Sequence, residues 1–205
     1  MCVFIDSVRI KFSMIEKGTI RKMGQYYRSN PQYEKDILRG LREFFGKKNV
    51  VDNDNPLFNE WMMYDFKFSD GRCMLDKFYN ENPLGIPLYR REIYNSLREN
   101  YYGLFQVLEV RPFAGLVIKR LDDGKIFEVS EMTATIDTEV DDVAVFRVAR
   151  VKERYELVGS NTQLIKLSAS SDIEQRKLYL KEVFPKVKMK TSKDAFIFFK
   201  KYLEA

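Results

Sequence analysis

Glu60, Trp61 and Asp65, with Tyr64 between them, are the residues of this 205-residue chain whose types and spacing come nearest to chemistry. On a helix, Glu60–Tyr64 and Trp61–Asp65 are i, i+4 pairs, so the members of each pair share a face. A carboxylate beside an aromatic wall can bind a base or a cation. The plainer reading is a buried helix whose Trp N–H and Tyr O–H find carboxylate partners. A second constellation is cationic: Lys119, Arg120, Arg147 and Arg150, followed by Lys152 and Arg154, with Phe127 and Phe146 interleaved. Small barrels bind single-stranded nucleic acid by stacking bases on exposed aromatics beside cations. Strand alternation puts Phe146, Val148 and Arg150 on one face and Val145, Arg147 and Ala149 on the other, so neither face is cleanly basic. Core aromatics and solvated arginines are the plainer account of this set.

Composition closes several routes to catalysis. The chain has no histidine, which removes Ser-His-Asp and Cys-His catalysis and any His-based metal site. Two cysteines, Cys2 and Cys73, are too few for a structural zinc site and fit a reducing compartment. The acidic pairs Asp122-Asp123 and Asp141-Asp142 fall in a turn and before a strand, places Asp takes for backbone reasons, and lack calcium-loop spacing. No metal, cofactor or catalytic residue is therefore expected. A His-free, carboxylate-dependent hydrolase stays open as an alternative, and it needs carboxylates converging in one cleft.

Charge bears on partners. Residues 1–28 carry six basic and two acidic side chains, residues 173–205 nine and four, and the middle is mildly acidic. Basic ends can meet a polyanion, although solvated faces of a Lys-rich protein are the plainer account of them. Apolar runs such as 195–199 are far too short to span a bilayer, and the opening residues meet charge at Asp6 and Arg9. A cytoplasmic protein without a membrane partner is expected.

The elements that would position these residues change character along the chain. Ser7 can cap a first helix that carries Ile10, Met14, Ile15 and Ile20. Asn30-Pro31 opens a second that ends near Gly46, and Pro56 a third, largely buried one through Phe66. CMLDKFYNEN follows as a short helix, then one from Pro87 to Tyr102 with Leu88, Ile93, Leu97 and Tyr101 inward. From Gly103 the period becomes two. Strands are expected at 104–110, 116–121, 125–130, 143–151 and after Arg154, with a last short one near 163–167 and a hairpin at Asp122-Asp123-Gly124. Helices resume near Ser171, which has capping-box spacing to Glu174, and again near Ser192. The fold expected is α+β: a helical region over 1–103, a small antiparallel barrel of SH3-like or OB-like kind over 104–168, and C-terminal helices over 169–205 that pack on the body.

The stretches FNEWMMYDFKFSDGRCMLDKFYNENP, REIYNSLRENYYGLFQVLEVRP and GLVIKRLDDGKIFEVSE resemble uncharacterised bacterial proteins associated with the SEC-C motif, over about 58–159. The resemblance implies a helical segment and a helix-to-strand junction ahead of a small β module, and no biochemical activity. The Cys/His zinc-binding tail of that family is missing here, so a zinc-mediated role is not implied. The expectation is a non-catalytic binding or adaptor protein for nucleic acid or a nucleoprotein. Glu60, Trp61, Asp65, Lys119, Arg120, Arg147 and Arg150 are the candidate binding residues. A protein-interaction or structural module acting as a homo-oligomer is the alternative.

Overall fold

The computed structural model of the chain describes residues 17–46, 55–159, 163–166 and 172–203. Among the described residues five helices come first: α1 (Lys17–Ser29), α2 (Glu34–Phe45), α3 (Pro56–Tyr64), α4 (Met74–Glu81) and α5 (Leu88–Asn95). The expected helix start at Ser7 lies outside the described residues. Asn30 and Asn55 are the caps that open the next two helical segments. The Asn30 side chain accepts from the Gln32 N–H, and that of Asn55 accepts from the N–H groups of Leu57 and Phe58. In both cases a proline fills the first helical position, where no N–H is needed. Gly46 ends α2 at φ 81°, a conformation open to glycine without steric cost.

Six strands follow among the described residues: β1 (Asn100–Arg111), β2 (Gly115–Arg120), β3 (Ile126–Ser130), β4 (Val143–Val151), β5 (Arg154–Leu157) and β6 (Gln163–Ile165). The first five close in the order β1-β2-β3-β5-β4 and back to β1, and β6 adds to β4. The β3–β5 contact is parallel, with Val129 opposite Tyr155, so the barrel is mixed rather than wholly antiparallel. Of the two barrel kinds expected, this order with parallel third and fifth strands is the OB-like one. The protein is thus α+β, with N-terminal helices, a closed five-stranded barrel, and C-terminal helices α6 (Ile173–Leu178) and α7 (Ser192–Leu203). Among the described residues, no helix is long and apolar enough to cross a membrane.

The helix expected to reach Tyr102 stops at Asn95, and after one 3₁₀ turn β1 begins at Asn100. Pairing decides this: Asn100 to Gln106 run antiparallel to β4, and Tyr101 and Tyr102 suit a pleated surface. Leu88, expected inward, is 60% exposed, while Leu97 is fully buried. At α6 the cap is Asp172, whose carboxylate accepts from the Gln175 N–H; Ser171 lies outside the described residues.

Two apolar clusters result from strand alternation. Phe105, Ile118, Phe127, Phe146 and Val148 fill the barrel. The opposite faces of β1 and β4, with Tyr102, Leu104, Val145 and Ala149, join the helices in the larger cluster. Strand β4 is therefore buried on both faces, and Arg147 lies on the one covered by helices.

Candidate functional site

The carboxylates Glu60 and Asp65 and the guanidinium of Arg147 come together beneath that helical cover. Arg147 Nε donates to Glu60 Oε1 at 2.7 Å, and Nη2 donates to Asp65 Oδ2 at 2.7 Å. Nη1 reaches Asp65 Oδ1 at 3.2 Å and Asn100 Oδ1 at 2.7 Å. The rings of Tyr64 and Tyr102 lie 4.4 and 4.5 Å from the guanidinium carbon. Register explains the second ring, because Tyr102 stands directly opposite Arg147 in the β1–β4 ladder and Asn100 diagonally from it. Ser192, the first residue of α7, closes the set. Its hydroxyl accepts from Arg147 Nη2 at 3.2 Å and its N–H donates to Asp65 Oδ2 at 3.3 Å. Asp65 thereby sits at the N-terminus of α7, where the helix dipole favours a carboxylate.

Burial sets the electrostatics of this cluster. Side chains of Arg147 and Glu60 are each 1% exposed, and that of Asp65 is 12%. Burial alone would lower the Arg147 pKa, but Glu60 and Asp65 overcome it and hold the guanidinium charged. Burial raises the Asp65 carboxyl above its ordinary value, with Arg147 and the Ser192 N–H pulling the other way. Burial likewise pushes the Tyr64 hydroxyl up, and it donates to the Val158 carbonyl at 2.9 Å. The cation this carboxylate pair takes is therefore the chain's own arginine. A triad so enclosed joins α3, β1, β4 and α7 rather than presenting itself to a ligand.

Trp61, expected beside Asp65, turns away. Helix α3 ends at Tyr64, so Asp65 is its cap residue and leaves the helical face pattern. The indole packs instead with Phe44 at 5.4 Å and Phe66 at 4.9 Å between centroids, in the helical core.

Lys119, Arg120 and Arg150 fall in another place, at the end of the barrel where the β2–β3 and β4–β5 turns lie. Arg150 is the last residue of the interior-facing series Ala144, Phe146, Val148, and it is exposed at the rim. Arg120 is held by Asp122 and Asp123 and lies 5.3 Å from the Tyr101 ring. Lys125, at the start of the expected third strand, sits 4.0 Å over the Tyr101 ring and donates to its hydroxyl at 2.8 Å. Beneath them, Phe127 contacts Tyr101 and Tyr155 at 5.0 and 5.1 Å and plugs the barrel end. Among the described residues Lys119, Lys125, Arg150 and Lys152 make no ion pair, whereas Glu156, the buried acid of β5, holds Arg154 at 2.8 Å. The signal that finds Lys125 is the DDG turn, which returns the next residue to the strand end from which Lys119 and Arg120 leave.

The remaining candidates are structural. Asp142 is fully buried and accepts from the Glu139 N–H and from Lys166. Cys73 is buried, donates to Asp76 Oδ2 at 3.1 Å, and has its thiol pushed up to about 11, first by burial. Such a thiol is a poor nucleophile at neutral pH. Among the described residues no group of three or more Cys, Asp or Glu side chains is arranged to hold a metal ion. No family model, curated protein or solved structure matches the chain.

Proposed function

We propose that this is a non-catalytic binding protein that takes a single-stranded nucleic acid on the cationic rim of its barrel. The observation that carries the reading is the gathering of Lys119, Lys125, Arg150 and Lys152, without ion-pair partners among the described residues, at one end of an OB-ordered barrel. Barrels of this order bind oligonucleotides across the second and third strands and the loops after the first and fourth, and Lys119 lies on the second strand and Lys152 in the β4–β5 turn. Lysines beside Tyr101 offer phosphates a charge and bases a ring.

Fluorescence anisotropy with a labelled oligo-dT is the test. Affinity should fall with salt at a log–log slope of about −3, close to −0.7 for each of four phosphates. Replacing the four cations with Ser should flatten that slope and weaken binding at least about tenfold at low salt. An unchanged slope in that variant, or no binding by the wild type at low salt, overturns the reading.

One observation favours self-association as a second reading. At the far end of the barrel, Phe113 and Ile136 are 68% and 63% exposed, and the Phe113 N–H bonds Thr135 Oγ1 to join their two loops. Exposed apolar patches of this sort serve as contact surfaces. If they do here, the mass in solution rises with concentration and Phe113→Ser abolishes the rise; a concentration-independent monomer excludes it.

A further inference from the structure

A separate cavity of about 330 Å³ opens between α1, α3 and the end of β5, far in sequence from the rim cations. That volume is at the lower end of small-molecule sites. Its apolar wall is Ile20 with three methionines, Met62, Met63 and Met74. Thioether side chains are flexible and polarisable, and they adapt to an apolar guest better than branched ones do. Two arginines, Arg21 and Arg28, line it as well. Arg28 is fixed in place, with Nη1 donating to Asn59 Oδ1 at 2.7 Å and Nε to the Gly24 carbonyl at 3.2 Å. Arg21 is exposed and makes no ion pair among the described residues. Glu60 is the one described carboxylate in the lining, and it is already held by Arg147. The cavity is thus largely apolar, with positive charge at the two arginines.

Gly24 gives a second, independent indication. It sits inside α1, where glycine costs about 1 kcal/mol against alanine. A Cβ there would meet nothing nearer than Arg28 Nη2 at 4.0 Å, so packing does not demand glycine. What glycine does at this position is leave room in the cavity wall.

We propose that this cavity binds a free medium-chain fatty acid, with its tail among the methionines and its carboxylate on Arg28 and Arg21. The tail suits the apolar lining, and the headgroup suits the charge of the arginines.

Titration calorimetry with decanoate, kept below its micelle concentration, tests the proposal against decanol as the uncharged probe. Decanoate should bind about tenfold more tightly than decanol, the difference one charge-assisted contact makes. Replacing both Arg28 and Arg21 with Gln should bring decanoate down to the affinity of decanol and leave decanol unchanged, and Arg28→Gln alone should bring it part of the way. Gly24→Leu should abolish binding of both while the unfolding temperature stays level or rises, since leucine is a good helix former. The four-cation rim variant should bind decanoate as the wild type does, which separates this site from the nucleic-acid reading. No heat with decanoate, equal affinity for decanol, or undiminished binding by Gly24→Leu would each overturn it.

Discussion

Arg147→Met should lower folding stability by about 3–5 kcal/mol, the loss typical of removing one partner from a buried ion pair. For a chain of this length that corresponds to a fall of about 10 °C in the unfolding midpoint. The arginine is 1% exposed, and its removal leaves Glu60 and Asp65 facing one another without a cation. Burial already raises the Asp65 carboxyl, and the opposing pull of Arg147 is lost in the variant, so the rise grows. A carboxyl whose folded pKa is raised contributes stability at pH below its unfolded value and loses it as pH climbs through the folded value. The deficit of Arg147→Met should therefore be larger at about pH 8 than at about pH 5. Adding Glu60→Gln and Asp65→Asn removes the buried charges and should restore part of the loss at neutral pH. Denaturant titration of the three chains at both pH values measures this. A deficit that is the same at the two pH values and unrelieved by the amides would mean that lost packing, not stranded charge, causes it.

The two constellations visible in the sequence were legible as residues and not as partners. Glu60 and Arg147 are 87 positions apart, and only the packing of α3 on the outer face of β4 brings them together. Alternation correctly separates Arg147 from Arg150, because side-chain direction has a period of two within one strand. It does not say that the Arg147 face would be covered by helices, since that depends on which strands lie under α3 and α7. Of the two readings of this segment, the buried helix is the one α3 shows, but Tyr64 donates to the Val158 carbonyl rather than to a carboxylate. Tyr64 and Tyr102 flank the cation, while Trp61 packs in the helical core. Tyr102 and Asn100 were hidden because the periodicity before Gly103 reads as helix, and long-range pairing overrides such a local signal.

The Asn30 cap, the Gly46 stop and the DDG turn were legible because their chemistry is local, each acting within a few residues. Strand order could not be read, for it rests on a parallel β3–β5 contact that joins Val129 to Tyr155 across the intervening β4. That contact is also what makes the rim. It puts the β4–β5 turn, with Arg150 and Lys152, at the same end of the barrel as the hairpin bearing Lys119 and Lys125. A linear list of basic residues gains meaning only once that closure is known.

Phe127→Ala should cost about 3–5 kcal/mol, the range for truncating a buried aromatic. The ring is 1% exposed and touches Tyr101, Phe105 and Tyr155 at 5.0, 5.8 and 5.1 Å, so it joins the two hairpins beneath the rim. It also lies 5.1 Å below Lys125 Nζ. Phe127→Leu keeps most of the volume and should cost less, about 1–1.5 kcal/mol. The pair separates support of the core from support of the rim. If Tyr101 and Lys125 are held for binding by the ring beneath them, the alanine variant should lose oligo-dT affinity well below its unfolding temperature, and the leucine variant should keep most of it. If affinity instead survives in every alanine molecule that remains folded, the plug serves the barrel alone. The cations would then bind without a positioned aromatic, and the salt slope, rather than stacking, would account for the whole interaction.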